Sequence, residues 1–197
     1  MAIIGNCGSG KTTLARALSS RMQTQLLLEE HEQRPYQRDF MADRSRLGLQ
    51  NQMDYLLLRA EQERALRSGV GIGIVDGGLD QDFYIFTRLF YRKGYLNDAD
   101  YALCERLYRL LRQVLPAPEA TIRLKAPLPD LVERLARRQR PLDIVSPEDL
   151  PAIDSLMDEW MTIDPPRPPA IEIDSTPGAF TGRLLDELVA DLRHRLT

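Results

Sequence analysis

A glycine-rich phosphate-binding motif stands near the start of the sequence. It matches G-x-x-x-x-G-K-[ST] in full and reads Gly5-Asn6-Cys7-Gly8-Ser9-Gly10-Lys11-Thr12. In such a loop, successive backbone N–H groups surround a pyrophosphate, which glycines allow because they carry no Cβ. The lysine reaches the β- and γ-phosphates, and the threonine offers its hydroxyl to Mg²⁺. We therefore predict a nucleoside triphosphate site with Mg²⁺, built around Lys11 and Thr12.

The segments on both sides of this motif support that prediction. A short apolar run at residues 2–4 precedes it, and residues 11–22 have helical spacing after it. A strand, a loop and a helix in this order place the helix N-terminus at the phosphates, where the helix dipole attracts anions. The alternative is an ordinary glycine-rich turn, which is disfavoured because a complete match is rare in a chain with few lysines.

The composition is that of an ordinary globular chain. Of its 197 residues, 43% are hydrophobic and 28% are charged, which suits one compact domain over residues 1–197. The net charge of −3 gives no general attraction to nucleic acid or to an anionic membrane. The sequence has no membrane-spanning run, no signal-like segment and no disulfide framework. We expect a cytoplasmic protein without nucleic-acid or membrane partners.

Segments with strand-like and helix-like patterns alternate along the chain. Strands are predicted at 2–4, 24–28, 71–75, 121–124 and 170–173, and helices at 11–22, 43–67, 81–91, 98–115, 130–138, 147–160 and 177–196. This alternation predicts an α/β fold, in which helices cover both faces of a parallel five-stranded sheet. The third strand is too apolar for a sheet edge.

Acidic residues follow two of the predicted strands. Active sites in such sheets lie at the carboxyl ends of the strands. This rule selects Glu29 and Glu30 after the second strand, and Asp76 after the third. An acid in the position of Asp76 holds Mg²⁺ directly or through water, although an aspartate there can also simply cap a helix. We predict that Asp76 and Thr12 form the metal site.

The order and spacing of these motifs resemble the deoxyribonucleoside kinase family, from Ile3 to about Trp160. The start, Gly-Asn-Cys-Gly-Ser-Gly-Lys-Thr-Thr-Leu, is close to the family's Gly-Asn-Ile-Gly-Ser-Gly-Lys-Thr-Thr-Leu. Further positions that match are Glu30, Pro35 and Phe40; Ala42, Asp43 and Arg46; Gln52, Tyr55, Leu56 and Arg59; Asp82, Ile85 and Phe86; and Arg134, Arg138 and Arg140. Asp143 stands where the family usually has a glutamate. The resemblance implies a P-loop kinase with an arginine-rich lid at about residues 134–146.

The resemblance also implies the reaction and the residues that perform it. The γ-phosphate of ATP would pass, with Mg²⁺, to the 5′-hydroxyl of a deoxyribonucleoside. Glu30 would orient that hydroxyl as general base. Positive charge on Lys11 and on the lid residues Arg134 and Arg138 would stabilise the transition state. Residues that would bind ATP are Gly5, Asn6, Cys7, Gly8, Ser9, Gly10, Lys11, Thr12, Thr13, Arg134 and Arg138.

A second group of residues would bind the nucleoside. Gln52 and Arg59 are seven positions apart and so project from one face of the long predicted helix. A glutamine amide can pair with a base edge that offers both a donor and an acceptor. By the resemblance, an Arg59–Asp82 ion pair lies beside Gln52, and Arg140 and Asp143 also contact the substrate. The alternative is that Gln52 and Arg59 are solvated on a surface helix.

Two departures from the family pattern affect the expected chemistry. Gly77 and Gly78 replace an arginine and a Ser or Thr, and Met41 replaces a tyrosine that contacts the sugar. Arg88 or Arg92 could take the place of the missing arginine. The departures leave two alternatives open: another small-molecule P-loop kinase, and a regulatory protein that binds nucleotide without transferring phosphate.

The helix predicted at 98–115 carries an unusually wide apolar face. Its apolar residues recur at steps of three and four: Tyr101, Cys104, Leu107, Tyr108, Leu111 and Leu115, with Leu103, Leu110 and Val114 beside them. One side must cover the sheet, and the surplus is available to a partner. Together with the resemblance, this pattern predicts a homodimer, with burial inside one subunit as the alternative.

Overall fold

Strands and helices alternate in the structure much as the sequence predicts. The computed structural model describes residues 1–27, 34–138, 144–166, 169–176 and 178–196, with Arg138 described by its backbone only. The elements are β1 (Ala2–Gly5), α1 (Lys11–Met22), β2 (Gln25–Leu27), α2 (Gln37–Ala42), α3 (Arg44–Ser68), β3 (Gly73–Asp76), α4 (Leu79–Gln81), a π-helix (Asp82–Thr87), α5 (Arg88–Arg92), α6 (Asp98–Val114), β4 (Thr121–Lys125), α7 (Leu128–Arg138), a 3₁₀-helix (Pro147–Asp149), α8 (Leu150–Ile163), β5 (Ile171–Asp174) and α9 (Gly182–Leu196).

The five strands form one parallel sheet in the order β2-β3-β1-β4-β5. The apolar third strand is interior, as predicted. In the sheet Ile3 of β1 is in register with Asp76 of β3. The carboxyl ends of these two strands therefore lie side by side, which brings the residues that follow each strand to one edge of the sheet.

Helices cover both faces of the sheet, which confirms the predicted three-layer α/β/α fold. Ile3 and Ile4 show why two layers are needed: they are consecutive on β1 and point to opposite faces. Ile3 packs with Leu14 of α1 in one core cluster, and Ile4 packs with Leu56 of α3 in the other. In the described part of the chain, no helix combines the length and the hydropathy needed to cross a membrane.

Several predicted boundaries were wrong, each for a local reason. The helix predicted at 81–91 begins earlier and contains a π-helical turn between α4 and α5. The third strand begins at Gly73 rather than 71, because Gly71 has a φ of +91° that interrupts the extended chain. The helix predicted from 147 opens as a 3₁₀ turn, in which Ser146 and Asp149 form a capping box. The last helix begins at Gly182 rather than 177.

Helix α3 buries polar residues on the face that packs against the sheet. It is capped by Asp43, whose side chain accepts a hydrogen bond from the backbone N–H of Arg46 at 3.1 Å. The buried face carries Gln52, Arg59 and Glu63 as well as Leu56 and Ala60. Buried polar groups persist only when something pairs with them, so this face of α3 is where a polar site is expected.

Candidate functional site

The phosphate-binding motif forms a loop between the central strand β1 and the first turn of α1. The backbone N–H of Ser9 donates to the carbonyl of Asn6 at 3.1 Å, which closes the loop. Gly10 caps α1 with a φ of +92°. A Cβ at Gly10 would lie 2.9 Å from Phe180, so the loop can approach this ring only because the residue is glycine. The motif therefore has the strand–loop–helix context that a phosphate site requires.

Lys11 is folded over the phosphate loop. Its ammonium donates to the carbonyls of Gly5 and Asn6, both at 3.1 Å. These two contacts hold a positive charge next to the loop's backbone N–H groups and the N-terminus of α1. The arrangement concentrates attraction for an anion at one point; contact of Lys11 with the phosphates stays a prediction.

Thr12 and Asp76 meet at the carboxyl ends of β1 and β3. The Thr12 hydroxyl donates to Oδ2 of Asp76 at 2.5 Å. Asp76 is buried, and its Oδ1 has no hydrogen-bond partner among the described residues. A buried carboxylate oxygen of this kind is costly unless a cation compensates it. The two side chains therefore fit Mg²⁺, which needs hard oxygen ligands and usually takes one or two carboxylates plus phosphate oxygens and water.

The described residues do not form a complete metal cage of their own. Among the described residues, no group of three or more His, Cys, Asp or Glu side chains could hold a metal ion. A site with Thr12 and Asp76 as its protein ligands would be completed by the nucleotide itself. Thr13, the remaining predicted ATP contact of the motif, is exposed at the start of α1.

The side chain of Asn6 points toward α8. Its amide nitrogen donates to the carbonyl of Leu150 at 2.9 Å and to Oδ1 of Asp154 at 2.7 Å. Its amide oxygen accepts the backbone N–H of Cys7 at 2.7 Å. Burial raises the pKa of the Asp154 carboxyl. Asn6 thus anchors the loop to α8, and only its backbone is available to a phosphate.

Gln52, Arg59 and Asp82 come together as the sequence predicts. Arg59 Nε donates to Asp82 Oδ2 at 2.5 Å, and the two side chains are only 2% and 5% exposed. The Gln52 amide donates to the carbonyl of Asp82 at 3.4 Å. The alternative that Gln52 and Arg59 are solvated on a surface helix is therefore wrong. Asp82 is also the first residue of the π-helix. This conformation is rare in proteins as a whole, but where it occurs it is often at a functional site.

Two residues of this region were missed by the sequence analysis. The side chain of Gln81 accepts the backbone N–H of Gly5 at 2.9 Å, so it joins the phosphate loop to the segment after β3. Asn51 is fully buried on α3 beside Gln52, and neither polar atom of its amide has a partner among the described residues. No motif contains either residue, and a buried glutamine or asparagine has no signature in the periodicity of a single sequence.

The lid residues are described only in part. Arg134 of α7 donates to the hydroxyl of Ser175 at 3.0 Å, to its carbonyl at 2.8 Å, and to the carbonyl of Gly8 at 3.4 Å. This arginine therefore lies against the phosphate loop. The backbone of Arg138 ends α7. The predicted residues Glu30, Arg140 and Asp143 lie outside the described residues.

Arg88 and Arg92, the two candidates to replace the arginine that the family has at position 77, are both paired with a residue of α8. Arg88 and Arg92 each donate to Glu159 on α8 at 2.6 Å. The arginine next to the Gly77 turn is instead Arg59, whose Nη2 would lie 3.6 Å from a Cβ at Gly77. The structure therefore gives no support to the expectation that Arg88 or Arg92 serves the reaction centre.

Comparison with known proteins identifies the family. Residues 1–174 match the sequence model of the deoxynucleoside kinase family, so the chain belongs to this family. Deoxyadenosine/deoxycytidine kinase of Bacillus subtilis (strain 168) is 26% identical over 72% of this chain. Deoxyguanosine kinase of the same organism is 29% identical over 73%, and deoxyadenosine kinase of Dictyostelium discoideum is 30% identical over 71%. The alignments span 66%, 68% and 57% of these relatives' own lengths.

Solved structures show the same fold. Deoxyadenosine kinase from M. mycoides with bound dCTP superimposes with a TM-score of 0.79 at 18% identity, covering 98% of this chain and all of that one. The same enzyme with bound dATP gives a TM-score of 0.79 and covers 98% of both chains. At this identity the likeness establishes the architecture, and the site has to be argued from its own residues.

Proposed function

We propose that the protein is an ATP- and Mg²⁺-dependent kinase that transfers the γ-phosphate to the 5′-hydroxyl of a deoxyribonucleoside. The observation that carries the proposal is the pairing of two sites at one edge of the sheet. The donor corner consists of the phosphate loop (residues 5–12) and Asp76; the acceptor corner consists of Gln52, Arg59 and Asp82. Relatives named as kinases of deoxyadenosine, deoxycytidine and deoxyguanosine support the choice of acceptor.

In the donor corner, the backbone N–H groups of the loop bind the phosphates. Lys11 would bring its charge to the β- and γ-phosphate oxygens, and Arg134 would add charge from the side of Gly8. When bound, Mg²⁺ neutralises charge on the transferred phosphoryl group. Thr12 and Asp76 are the residues that would hold it. Arg138 stays a prediction, as an arginine of the lid that closes on the phosphates.

In the acceptor corner, Gln52 offers a donor and an acceptor to a base edge. The Arg59–Asp82 ion pair lies beside it and orders the polar groups that face the base. Because both charges are buried, water does not compete with the ligand there, and a mismatched base would leave polar groups without partners. Glu30 as general base, and Arg140 and Asp143 as further substrate contacts, remain predictions from the sequence.

An ADP-release assay with a panel of acceptors tests this proposal. We expect one or more deoxyribonucleosides to stimulate ADP release, with an equal amount of the 5′-monophosphate detected by mass spectrometry. Stimulation by a different small molecule, and by no nucleoside, would favour another P-loop kinase. ATP binding without ADP release under any condition would favour the regulatory protein.

We also propose that the protein forms a homodimer through α6. Its wide apolar face divides in the structure: Cys104 and Tyr108 are buried in the subunit's own core, whereas Leu110 and Val114 are 57% and 69% exposed. A second copy would cover the exposed half. Light scattering should give twice the chain mass of 22.5 kDa. Leu110→Glu should give the monomer, and the control Leu184→Glu on α9 should not.

The setting of the proposed activity follows from its substrates. We propose a single kinase domain that works in the cytoplasm, because ATP and free nucleosides meet there. The acceptor would be a small molecule, and we expect no nucleic-acid or membrane partner for a chain with a net charge of −3.

A further inference from the structure

A network of charged groups, fully buried at Glu63 and partly buried at Arg112 and Asp80, lies behind the turn that follows β3. The guanidinium of Arg112 on α6 forms a two-pronged ion pair with Glu63 on α3, with N–O distances of 2.7 and 3.0 Å. Arg112 Nε also donates to Asp80 at 2.6 Å, and the Tyr108 hydroxyl donates to the same carboxylate oxygen at 2.9 Å. None of these four groups takes part in the proposed chemistry, so their burial needs another explanation.

The network caps the helical segment that begins at Leu79. The backbone N–H of Leu79 donates to Glu63 Oε1 at 3.1 Å. N–H groups in the first turn of a helix have no partner within the helix, and a carboxylate is favourable there. The preceding residue, Gly78, has no side chain to serve as a cap. Glu63 supplies that cap from α3, and Arg112 balances its buried charge.

The Gly77–Gly78 turn, which this cap holds, has few conformational restrictions of its own. Gly77 and Gly78 both have positive φ, +92° and +90°. Two successive glycines leave the backbone many alternatives, so the native turn depends on outside contacts. Burial raises the pKa of Asp80 despite the opposing charge of Arg112, in keeping with a network that is shielded from water.

Three functional contacts extend from the segment that this turn connects. Asp76, just before the turn, contacts Thr12; Gln81, just after it, contacts Gly5; and Asp82 contacts Arg59. The segment thus links the donor corner to the acceptor corner. A shift of the turn would move all three contacts together.

We propose that Glu63 and Arg112 are positioning residues, which fix the Gly77–Gly78 turn so that Asp76 faces the donor and Asp82 faces the acceptor. This inference rests on the proposed function. Misplacement of reacting groups by about 1 Å costs on the order of a hundredfold in rate. Loss of the network should therefore lower kcat while the phosphate loop keeps its affinity for ATP.

Arg112→Met tests the proposal, with Arg109→Met as the matched control. Arg109 is on the same helix but 71% exposed and paired with Glu105. At a temperature where every variant is fully folded, Arg112→Met should lower kcat roughly ten- to a hundredfold and raise the Mg²⁺ concentration needed for half-maximal rate. The KM for ATP should change little, since no residue of the phosphate loop is substituted and Lys11 keeps its position. Arg112→Lys should restore kcat only in part, because an ammonium cannot make the two-pronged contact.

A double variant separates positioning from stability. Glu63→Leu combined with Arg112→Met removes both charges of the Glu63–Arg112 pair and leaves only Asp80 without its arginine, so the melting temperature should recover part of the loss. The kcat should stay low because the cap of Leu79 is gone. Recovery of kcat together with the melting temperature would overturn the proposal, and so would a folded Arg112→Met variant with the kcat of the wild type.

Hydrogen exchange tests the same claim without any turnover. The peptide that spans residues 76–82 should exchange faster in Arg112→Met than in the wild type. In Arg109→Met its exchange rate should equal that of the wild type. Unchanged exchange in Arg112→Met would overturn the inference even if the wild type phosphorylates nucleosides. If Arg112→Met exchanges faster but the wild type phosphorylates no nucleoside, the result would support the role of the network and count against the proposed function.

Discussion

The donor corner and the acceptor corner are built in opposite ways. The donor corner is mostly one contiguous stretch of backbone, and Asp76 reaches it from the neighbouring strand. The acceptor corner is made of side chains from α3 and the π-helix, which are 23 to 30 residues apart in sequence. A backbone site needs glycines in a fixed local pattern. A side-chain site needs the whole core to hold two helices in place.

Burial of charge separates the two corners further. Lys11 is only partly buried and is held by two carbonyls, so its removal leaves no stranded counter-charge. Arg59 and Asp82 are an almost fully buried ion pair. Breaking such a pair is strongly destabilising, because the remaining charge has lost its compensation. We therefore expect loss of Lys11 to cost activity alone, and loss of either partner of the Arg59–Asp82 pair to cost both activity and stability.

Lys11→Ala should have the largest effect on activity. The variant loses the positive charge over the loop, which is aimed at the charge that develops on the transferred phosphoryl group. We expect turnover to fall by about a thousandfold with no change in melting temperature. Turnover within tenfold of the wild type in a stably folded variant would contradict the assignment of Lys11.

Arg59→Leu should lower both stability and activity. Asp82 would lose its buried ion pair with Arg59, so the free energy of unfolding should fall by about 3–5 kcal/mol, measured by urea denaturation. Arg59→Leu combined with Asp82→Leu removes both charges and should regain much of that stability without regaining activity. If Arg59→Leu were as stable as the wild type, the two corners would not differ in their contribution to stability, contrary to our expectation.

Gln52→Leu should weaken recognition of the nucleoside acceptor and leave ATP binding unchanged. The substitution removes a donor and an acceptor at similar bulk, which leaves polar groups of the base without partners at about 1–3 kcal/mol each. The kcat/KM for the best nucleoside should fall roughly ten- to a hundredfold, while the KM for ATP barely changes. An unchanged kcat/KM would mean that Gln52 does not contact the base.

Lys93→Met should have the smallest effect and should leave both corners intact. Lys93 donates to Asp149 at the start of α8. Burial raises the pKa of Asp149, but the hydrogen bonds from Lys93 and the backbone of Ser146 outweigh it and hold the pKa below its ordinary value. Stability from this contact is thus present above about pH 4 and is lost as the pH falls through the lowered pKa.

The matching measurement is urea denaturation of wild type and Lys93→Met at pH 7 and pH 3. The variant should be less stable by about 1 kcal/mol at pH 7, and the difference should shrink at pH 3. Neither KM should change. A difference that is the same at both pH values would show that the contribution of Lys93 does not depend on the Asp149 carboxylate.

The same contrast explains how much could be predicted from the sequence. The phosphate loop and Asp76 were predicted because glycine spacing and an acid after an apolar strand are local signals. The parallel five-stranded sheet followed from the alternation of apolar runs with helical ones. The frame of Gln52, Arg59 and Asp82 was found through family resemblance, because no local rule predicts an ion pair between positions 23 residues apart.

Three of the residues that the sequence analysis missed share one physical property. Gln81, Glu63 and Arg112 act through side-chain contacts between distant segments; Glu63 and Arg112 are 49 residues apart. In the sequence, such residues look like ordinary polar positions on helices. The π-helix was missed for a related reason, since a single extra residue in one helical turn leaves the apolar spacing nearly unchanged. Only the packed structure distinguishes these residues from solvated ones.

The central claim is that the donor and the acceptor bind at separate corners. The most direct test is calorimetric titration of an ATP analogue and of the nucleoside into Lys11→Ala and into Gln52→Leu. The account predicts that Lys11→Ala loses affinity for a non-hydrolysable ATP analogue and keeps its affinity for the nucleoside. Gln52→Leu should do the reverse. If either variant loses both ligands while fully folded, or if Gln52→Leu binds the nucleoside as tightly as the wild type, the division into separate donor and acceptor corners is contradicted.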